Sequence, residues 1–252
     1  MTFGPLSSVA AGLADLILPR QCAGCGADAA PRGVCRDCVA DLAALRPHPT
    51  RPQPSPVGLP PCAALGDYDG ALRGLILAYK ERGRHPLARP LGRLLASVVA
   101  SLLPAVPVSG AAAGAAVVLV PIPDTPAAAR ARHGDHLWRL ARPAAARLRE
   151  AGIPVHLARP LRAGARPDSA GLDRAARAAS ARTSLRPRPR RAASLRRRLA
   201  ARPASVILLD DVVTTGATLA AATARLTAAG IPVSGAAVLA ATRRRRPGAA
   251  GY

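Results

Sequence analysis

The chain has 252 residues, which is enough for one large domain or for a medium-sized domain with a small appendage. Apolar residues make up 50% of it and aromatic residues only 2%, so a core of Ala, Leu and Val can hold it without a disulfide framework. The net charge of +22 favours acidic partners such as phosphates, nucleic acid or an anionic membrane. The sequence shows neither a signal peptide nor an unbroken apolar span, which predicts a cytoplasmic protein with no transmembrane segment.

Residues 1–46 are predicted to form a helix followed by a cysteine-rich module. Apolar residues between Leu6 and Ile17 recur at helical spacing. Two Cys-x-x-Cys pairs follow, separated by nine residues, and their members are Cys22, Cys25, Cys35 and Cys38. Four thiolates satisfy a tetrahedral ion of borderline softness, so the spacing predicts a structural zinc knuckle. A redox or iron–sulfur function and four unligated thiols are the alternatives. Cys62 stands alone and is expected to be a small buried residue.

A proline-rich stretch over 47–61 is predicted to be a semi-rigid linker, with a domain boundary near residue 60. Beyond it, residues 62–242 alternate between helical and strand-like patterns. Helices are predicted over 71–82, 87–103, 136–151 and 217–229, and strands over 116–121, 153–158, 205–209 and 233–240. Such alternation indicates an α/β fold with a mostly parallel sheet flanked by helices.

Two segments carry most of the excess positive charge. Residues 158–203 contain fourteen arginines against two aspartates, and the tail over 243–252 begins with four more arginines. We expect a solvated, mobile loop and a flexible basic tail. Binding of single-stranded DNA by the arginine-rich segment is the alternative, and it would be electrostatic because residues 158–203 contain no aromatic side chain.

The strongest motif covers residues 206–219, where an apolar strand leads to Asp210 and Asp211. A Thr- and Gly-rich turn then opens a helix, and its residues are Thr214, Thr215, Gly216, Ala217 and Thr218. Hydroxyls and helix N-terminal amides suit a phosphate, and Gly216 allows its close approach. The carboxylates suit ribose hydroxyls, directly or through Mg²⁺. A Walker-type ATPase is excluded, because the only lysine, Lys80, lacks the required glycine-rich context.

With the four cysteines in front, this motif resembles the ComF family of competence-associated proteins, which are similar to type I phosphoribosyltransferases. The resemblance covers residues 16–242. It implies a type I phosphoribosyltransferase-like sheet and a ligand such as phosphoribosyl pyrophosphate (PRPP) bound with Mg²⁺. Asp210 and Asp211 would then hold the ribose hydroxyls, and residues 214–218 would hold the 5-phosphate.

The resemblance assigns further residues around the pyrophosphate. Asp124 follows the strand that precedes the family's pyrophosphate loop, and Lys80 occupies the family's Lys-x-x-Gly position. Three cationic residues follow, Arg130, Arg132 and His133, and for each of them a solvated surface position is the alternative. The chain departs from the family's Arg-Gly-Phe-Asn, since it reads Arg-His-Gly-Asp over 132–135.

The family's flexible loop has its counterpart over 169–180, and Arg177 is its expected catalytic cation. Ser169 and Ser180 replace the family's Gln and Asn. We expect a transferase (a pentosyl glycosyltransferase) that releases pyrophosphate and passes phosphoribose to an acceptor that the sequence does not identify. The alternative is a non-catalytic module that binds nucleotide or single-stranded DNA, together with competence-machinery proteins, during DNA uptake.

Overall fold

The computed structural model describes residues 21–28, 33–103, 116–164 and 185–242. Three expectations lie outside these described residues. They are the helix over 6–17, the flexible loop with Ser169, Arg177 and Ser180, and the tail over 243–252.

A six-stranded sheet forms the centre of the protein. Its strands are β1 (His48–Thr50), β2 (Cys62–Asp67), β3 (Ala116–Pro121), β4 (Val155–Leu157), β7 (Ala204–Val213) and β8 (Gly235–Ala241), and a separate antiparallel pair comprises β5 (Leu161–Ala163) and β6 (Leu185–Pro187). The order across the large sheet is β1-β2-β8-β7-β3-β4, and every pair is parallel except β1 with β2. Strands β3 and β8 are almost wholly buried, as continuous apolar runs in a parallel sheet require.

Seven α-helices accompany the strands in the described part of the chain. They are α1 (Arg36–Ala44), α2 (Gly70–Lys80), α3 (Ala88–Leu102), α4 (Pro126–Ala131), α5 (His136–Glu150), α6 (Pro189–Ala201) and α7 (Ala217–Ala228). Helices α3 and α5 pack closely, because Gly92 leaves room for Pro143 and a Cβ there would overlap it. The predicted α/β class, with a mostly parallel sheet flanked by helices, is confirmed. None of the helices described is both long and apolar enough to span a bilayer.

The chain reverses its direction across the sheet between β3 and β7. From β3 it continues to β4 on one side, and from β7 it continues to β8 on the other. In open α/β sheets the crevice at such a switch point, outside the carboxyl ends of the strands, is where ligands bind. Pro121 at the end of β3 pairs with Leu209, and β7 runs on to Val213. Asp210 and Asp211 therefore lie at this crevice.

Two predictions about irregular segments need correction. The predicted linker includes residues 48–50, but they form the antiparallel edge strand β1, a position where proline is tolerated. Part of the segment expected to be a mobile loop is regular, because β5, β6 and α6 fall within 158–203. Helix α6 buries Ala192 and Leu195, which are three positions apart. So few apolar residues among many arginines gave too weak a helical pattern for the helix to be predicted.

Candidate functional site

Cys22, Cys25, Cys35 and Cys38 converge near the N-terminus, and we call them the four-cysteine cluster. Their sulfur atoms all lie within 4.8 Å of one another. The Sγ atoms of Cys25 and Cys35 are 3.7 Å apart. Zinc–sulfur bonds of about 2.3 Å in a tetrahedron place the sulfurs about 3.8 Å apart, so the geometry fits a bound zinc ion.

The local backbone orients the sulfurs of the four-cysteine cluster. Cys35 caps the N-terminus of α1, where its Sγ accepts the amide of Cys38 at 3.5 Å. The Sγ of Cys22 accepts amides from Gly24 at 3.4 Å and Cys35 at 3.2 Å. Burial raises the pKa of the Cys22 thiol, but these amides outweigh it and lower the pKa to about 6. Burial and the neighbouring sulfurs raise the pKa of Cys38, so a cation is needed for all four to be thiolates.

The four-cysteine cluster is docked on α2 and on the loop that follows it. Gly74 of α2 lies against the backbone of Gly24, and a Cβ on Gly74 would overlap the Gly24 carbonyl group. Arg82 donates to the carbonyl oxygens of Ala23 at 3.3 Å and Gly74 at 3.1 Å. The cluster is thus tied to the helix whose last residue is Lys80.

A second polar group lies at the crevice between β3 and β7, and we call it the acid–base cluster: Lys80, Asp124, His136 and Asp211. Lys80 ends α2, Asp124 follows β3, His136 begins α5, and Asp211 lies in β7. Lys80 Nζ is 2.7 Å from Asp211 Oδ2. His136 bridges the two carboxylates, with Nδ1 2.6 Å from Asp124 Oδ2 and Nε2 3.1 Å from Asp211 Oδ2.

Three of the four side chains in the acid–base cluster are shielded from solvent. The side chains of Asp124, His136 and Asp211 are only 7%, 5% and 6% exposed. Burial lowers the pKa of His136, but its bonds to the two carboxylates outweigh burial and raise the pKa to about 9. Burial likewise raises the pKa of Asp211, whereas His136 and Lys80 lower it to a net value well below the ordinary range. The cluster therefore consists of ions that neutralise one another.

Asp210 differs from its neighbour. Burial and the charge of Asp211 raise the pKa of Asp210 to about 7. Its Oδ1 accepts the backbone amide of Asp211 at 2.9 Å. Among the described carboxylates at this crevice, Asp210 is thus the one whose charge is least compensated.

The turn after β7 leads directly into α7. Ala217 begins the helix, and its amide donates to Thr215 Oγ1 at 3.4 Å. Thr214 is exposed, while Thr215 and Thr218 are half-buried. Gly216 precedes α7 with a φ of 72°, a conformation that favours glycine. A Cβ there would lie 3.0 Å from a methyl carbon of Leu59 in the proline-rich stretch, so both the backbone conformation and the packing favour glycine at this position.

Of the residues expected near the pyrophosphate, the structure brings Lys80, Asp124 and Arg132 together. Arg132 Nη1 lies 3.2 Å from Asp124 Oδ1, and its Nη2 lies 3.1 Å from Glu81 Oε1. His133 is exposed with a positive φ of 52°. Arg130 is exposed as well. Arg177 lies outside the described residues.

Sequence reasoning missed His136 and the residues that hold it. Tyr79 donates its hydroxyl to the His136 carbonyl oxygen at 2.7 Å. The one available signal was position, since His136 opens a helix directly after a turn expected to bind pyrophosphate.

The fold and its two polar clusters define an α/β protein with a candidate zinc centre and a charged crevice at the switch point of its sheet. No family model and no curated protein matches the chain.

Proposed function

We propose that the chain is a ComF-like, type I phosphoribosyltransferase-like protein that binds PRPP or a nucleoside 5-phosphate together with Mg²⁺. The observation that carries this proposal is the position of Asp210, beside Asp211 at the carboxyl end of β7 and directly before the turn into α7. Parallel α/β sheets bind ligands at this edge, and helix N-termini favour phosphate. Carboxylates of the strand would accept hydrogen bonds from ribose hydroxyls, and the turn over 214–218 would receive the 5-phosphate.

The proposed reaction is transfer of phosphoribose. The lone pair of an acceptor forms a bond to C1 of the ribose while the bond from C1 to pyrophosphate breaks, and the electron pair leaves with pyrophosphate. Lys80 and Arg132 lie at the same crevice, where carboxylates of the chain already balance their charge. Mg²⁺ would arrive with PRPP and supply most of the positive charge that stabilises the leaving group. The four cysteines would hold a zinc ion with a structural function only, because four protein sulfurs leave no open position.

Calorimetric titration with PRPP and Mg²⁺ tests the proposal. We expect binding by wild type and a raised melting temperature with ligand, and in Asp210→Asn we expect binding weakened by about a hundred-fold and a smaller rise in melting temperature. Glu150→Gln is the control, because Glu150 is exposed at the far end of α5 and pairs with Arg93. Release of pyrophosphate with candidate acceptors separates a transferase from a binding protein. If wild type binds neither PRPP nor a nucleoside 5-phosphate, the proposal is wrong.

A second candidate function is non-catalytic binding of single-stranded DNA, in association with competence-machinery proteins. The observation that favours it is α6, which exposes Arg190, Arg191 and Arg197 while burying its apolar side. Such a surface would bind phosphates without reading bases, since affinity would come from release of counterions.

Salt dependence tests this second candidate. Replacing Arg190, Arg191 and Arg197 with alanine should flatten the log–log slope of affinity against salt by about 0.7 for each phosphate that is no longer neutralised. The control replaces three exposed arginines elsewhere, Arg36, Arg89 and Arg225, and so removes the same charge. An equal reduction of the slope in both variants would mean that only net charge matters, and it would contradict a site on α6.

A further inference from the structure

The two adjacent aspartates of β7 have different surroundings. Successive side chains of a strand point to opposite faces, so Asp210 and Asp211 project to different sides of the sheet. Asp211 is buried, whereas Asp210 is only half-buried. Their neighbours in the structure differ accordingly.

Asp211 has both carboxylate oxygens occupied by donors of its own chain. Oδ1 accepts the amide of Val212 at 2.8 Å. Oδ2 receives Lys80 Nζ at 2.7 Å and His136 Nε2 at 3.1 Å. A carboxylate with this many partners gains little from a ligand and loses much if a partner is removed.

His136 can complete this arrangement in one protonation state only. Each ring nitrogen faces a carboxylate oxygen, and an ionised carboxylate can only accept hydrogen bonds. A neutral imidazole donates from one nitrogen and would turn a lone pair toward the other carboxylate. The imidazolium donates from both nitrogens. The backbone holds the residue in place, because its amide donates to Asp124 Oδ2 at 3.0 Å and its carbonyl accepts from Tyr79.

The charges that face His136 and its partners balance without Asp210. The cations are Lys80 from α2, Arg132 from the turn after α4, and His136 itself. The anions are Asp124, Asp211 and Glu81, the last paired with Arg132. Asp210 is an additional carboxylate beside this neutral set, and it would accept hydrogen bonds from a donor such as a pair of ribose hydroxyls.

We propose that the two aspartates have separate functions. Asp211 is an internal anion, held in place by Lys80 and by the positioning residue His136 as an imidazolium. Asp210 alone contacts the ribose of the ligand. The assignment of Asp210 rests on the proposed function, whereas the assignment of His136 and Asp211 does not. The division departs from the expectation that both carboxylates hold ribose hydroxyls.

Nitrogen-15 NMR of the imidazole rings tests the His136 assignment without any ligand. At pH 7.5 we expect both ring nitrogens of His136 to carry protons, with the signal assigned by its loss in His136→Gln. Tyr79→Phe is the matched control, because it removes a bond to the His136 backbone and leaves both ring contacts. That variant should keep the doubly protonated signature. A neutral tautomer in wild type would overturn the assignment.

Single substitutions then separate the two aspartates. Asp211→Asn should lower the melting temperature by about 10 °C, because it leaves buried cations without their anion. Asp210→Asn should leave the melting temperature nearly unchanged and weaken binding of PRPP with Mg²⁺ by about a hundred-fold. An Asp211→Asn protein as stable as wild type that does not bind the ligand would overturn the division. If wild type itself binds no PRPP, the proposed function fails, and the NMR signature and melting temperatures still decide the assignment of His136 and Asp211.

Discussion

The four-cysteine cluster and the acid–base cluster each bring ionisable side chains together, but they differ in what balances their charge. Four cysteine sulfurs surround a space that fits a zinc ion. Burial and the neighbouring sulfurs raise the pKa of Cys38, so the described part of the chain supplies no charge that would balance four thiolates. The carboxylates of Asp124 and Asp211 are instead neutralised by His136 and Lys80 of the same chain. The first cluster should therefore depend on a metal for its fold, and the second on protonation.

The largest expected effect is loss of the metal from the four-cysteine cluster. Cys38→Ser should abolish binding of one zinc per chain and unfold the module around residues 21–44, because the binding free energy of a structural zinc is also folding free energy. Metal analysis and hydrogen exchange measure both effects, and the main sheet should keep its protection.

Cys62→Ser is the matched control for that experiment. Cys62 is a buried cysteine at the start of β2, outside the four-cysteine cluster, where its thiol donates to the Pro60 carbonyl oxygen at 3.1 Å. Its serine variant should keep the zinc. Zinc retained in Cys38→Ser, or absent from Cys62→Ser, would contradict a zinc site made of the four clustered cysteines.

The same comparison explains how much the sequence could predict. Cys22 and Cys38 lie within one short segment, so spacing alone was enough to identify the cluster. Strand β3 was predicted at its observed bounds, because a continuous apolar run bounded by turn residues has few other structures available. The Asp-Asp motif was visible for the same local reason.

The acid–base cluster could not be predicted as a whole, because its members come from four separate elements. Only tertiary packing brings the end of α2, the turn after β3, the start of α5 and the end of β7 together. His136 carried no local pattern and was missed. Helix α6 was missed for a different reason, since arginines surround Ala192 and Leu195, the residues that it buries.

The next largest effect concerns pH and the acid–base cluster. The folded pKa of His136 is raised from 6.5 to about 9, so its contribution to stability is complete below pH 6.5 and is lost as the pH rises through 9. The difference in unfolding free energy between wild type and His136→Gln should fall by about 3 kcal/mol across that window. Urea denaturation at pH 6 and pH 9.5 measures it. A difference that stays constant with pH would mean that folding does not raise the pKa of His136.

The smallest expected effect concerns the contact between the module around residues 21–44 and α2. Here the sign of the change in unfolding free energy shows whether the two pack together. Alanine is a better helix former than glycine by about 1 kcal/mol, so Gly74→Ala would stabilise an isolated α2. In the folded protein its Cβ would overlap the Gly24 carbonyl group, so we expect a net destabilisation of about 2 kcal/mol with the zinc retained.

In the Cys38→Ser background, where the module is unfolded, the same substitution should instead stabilise the protein by about 1 kcal/mol. Urea denaturation of the four proteins gives this double-mutant cycle. Stabilisation in both backgrounds would show that the module does not pack on α2, and the zinc centre would then have no mechanical connection to the helix that ends at Lys80.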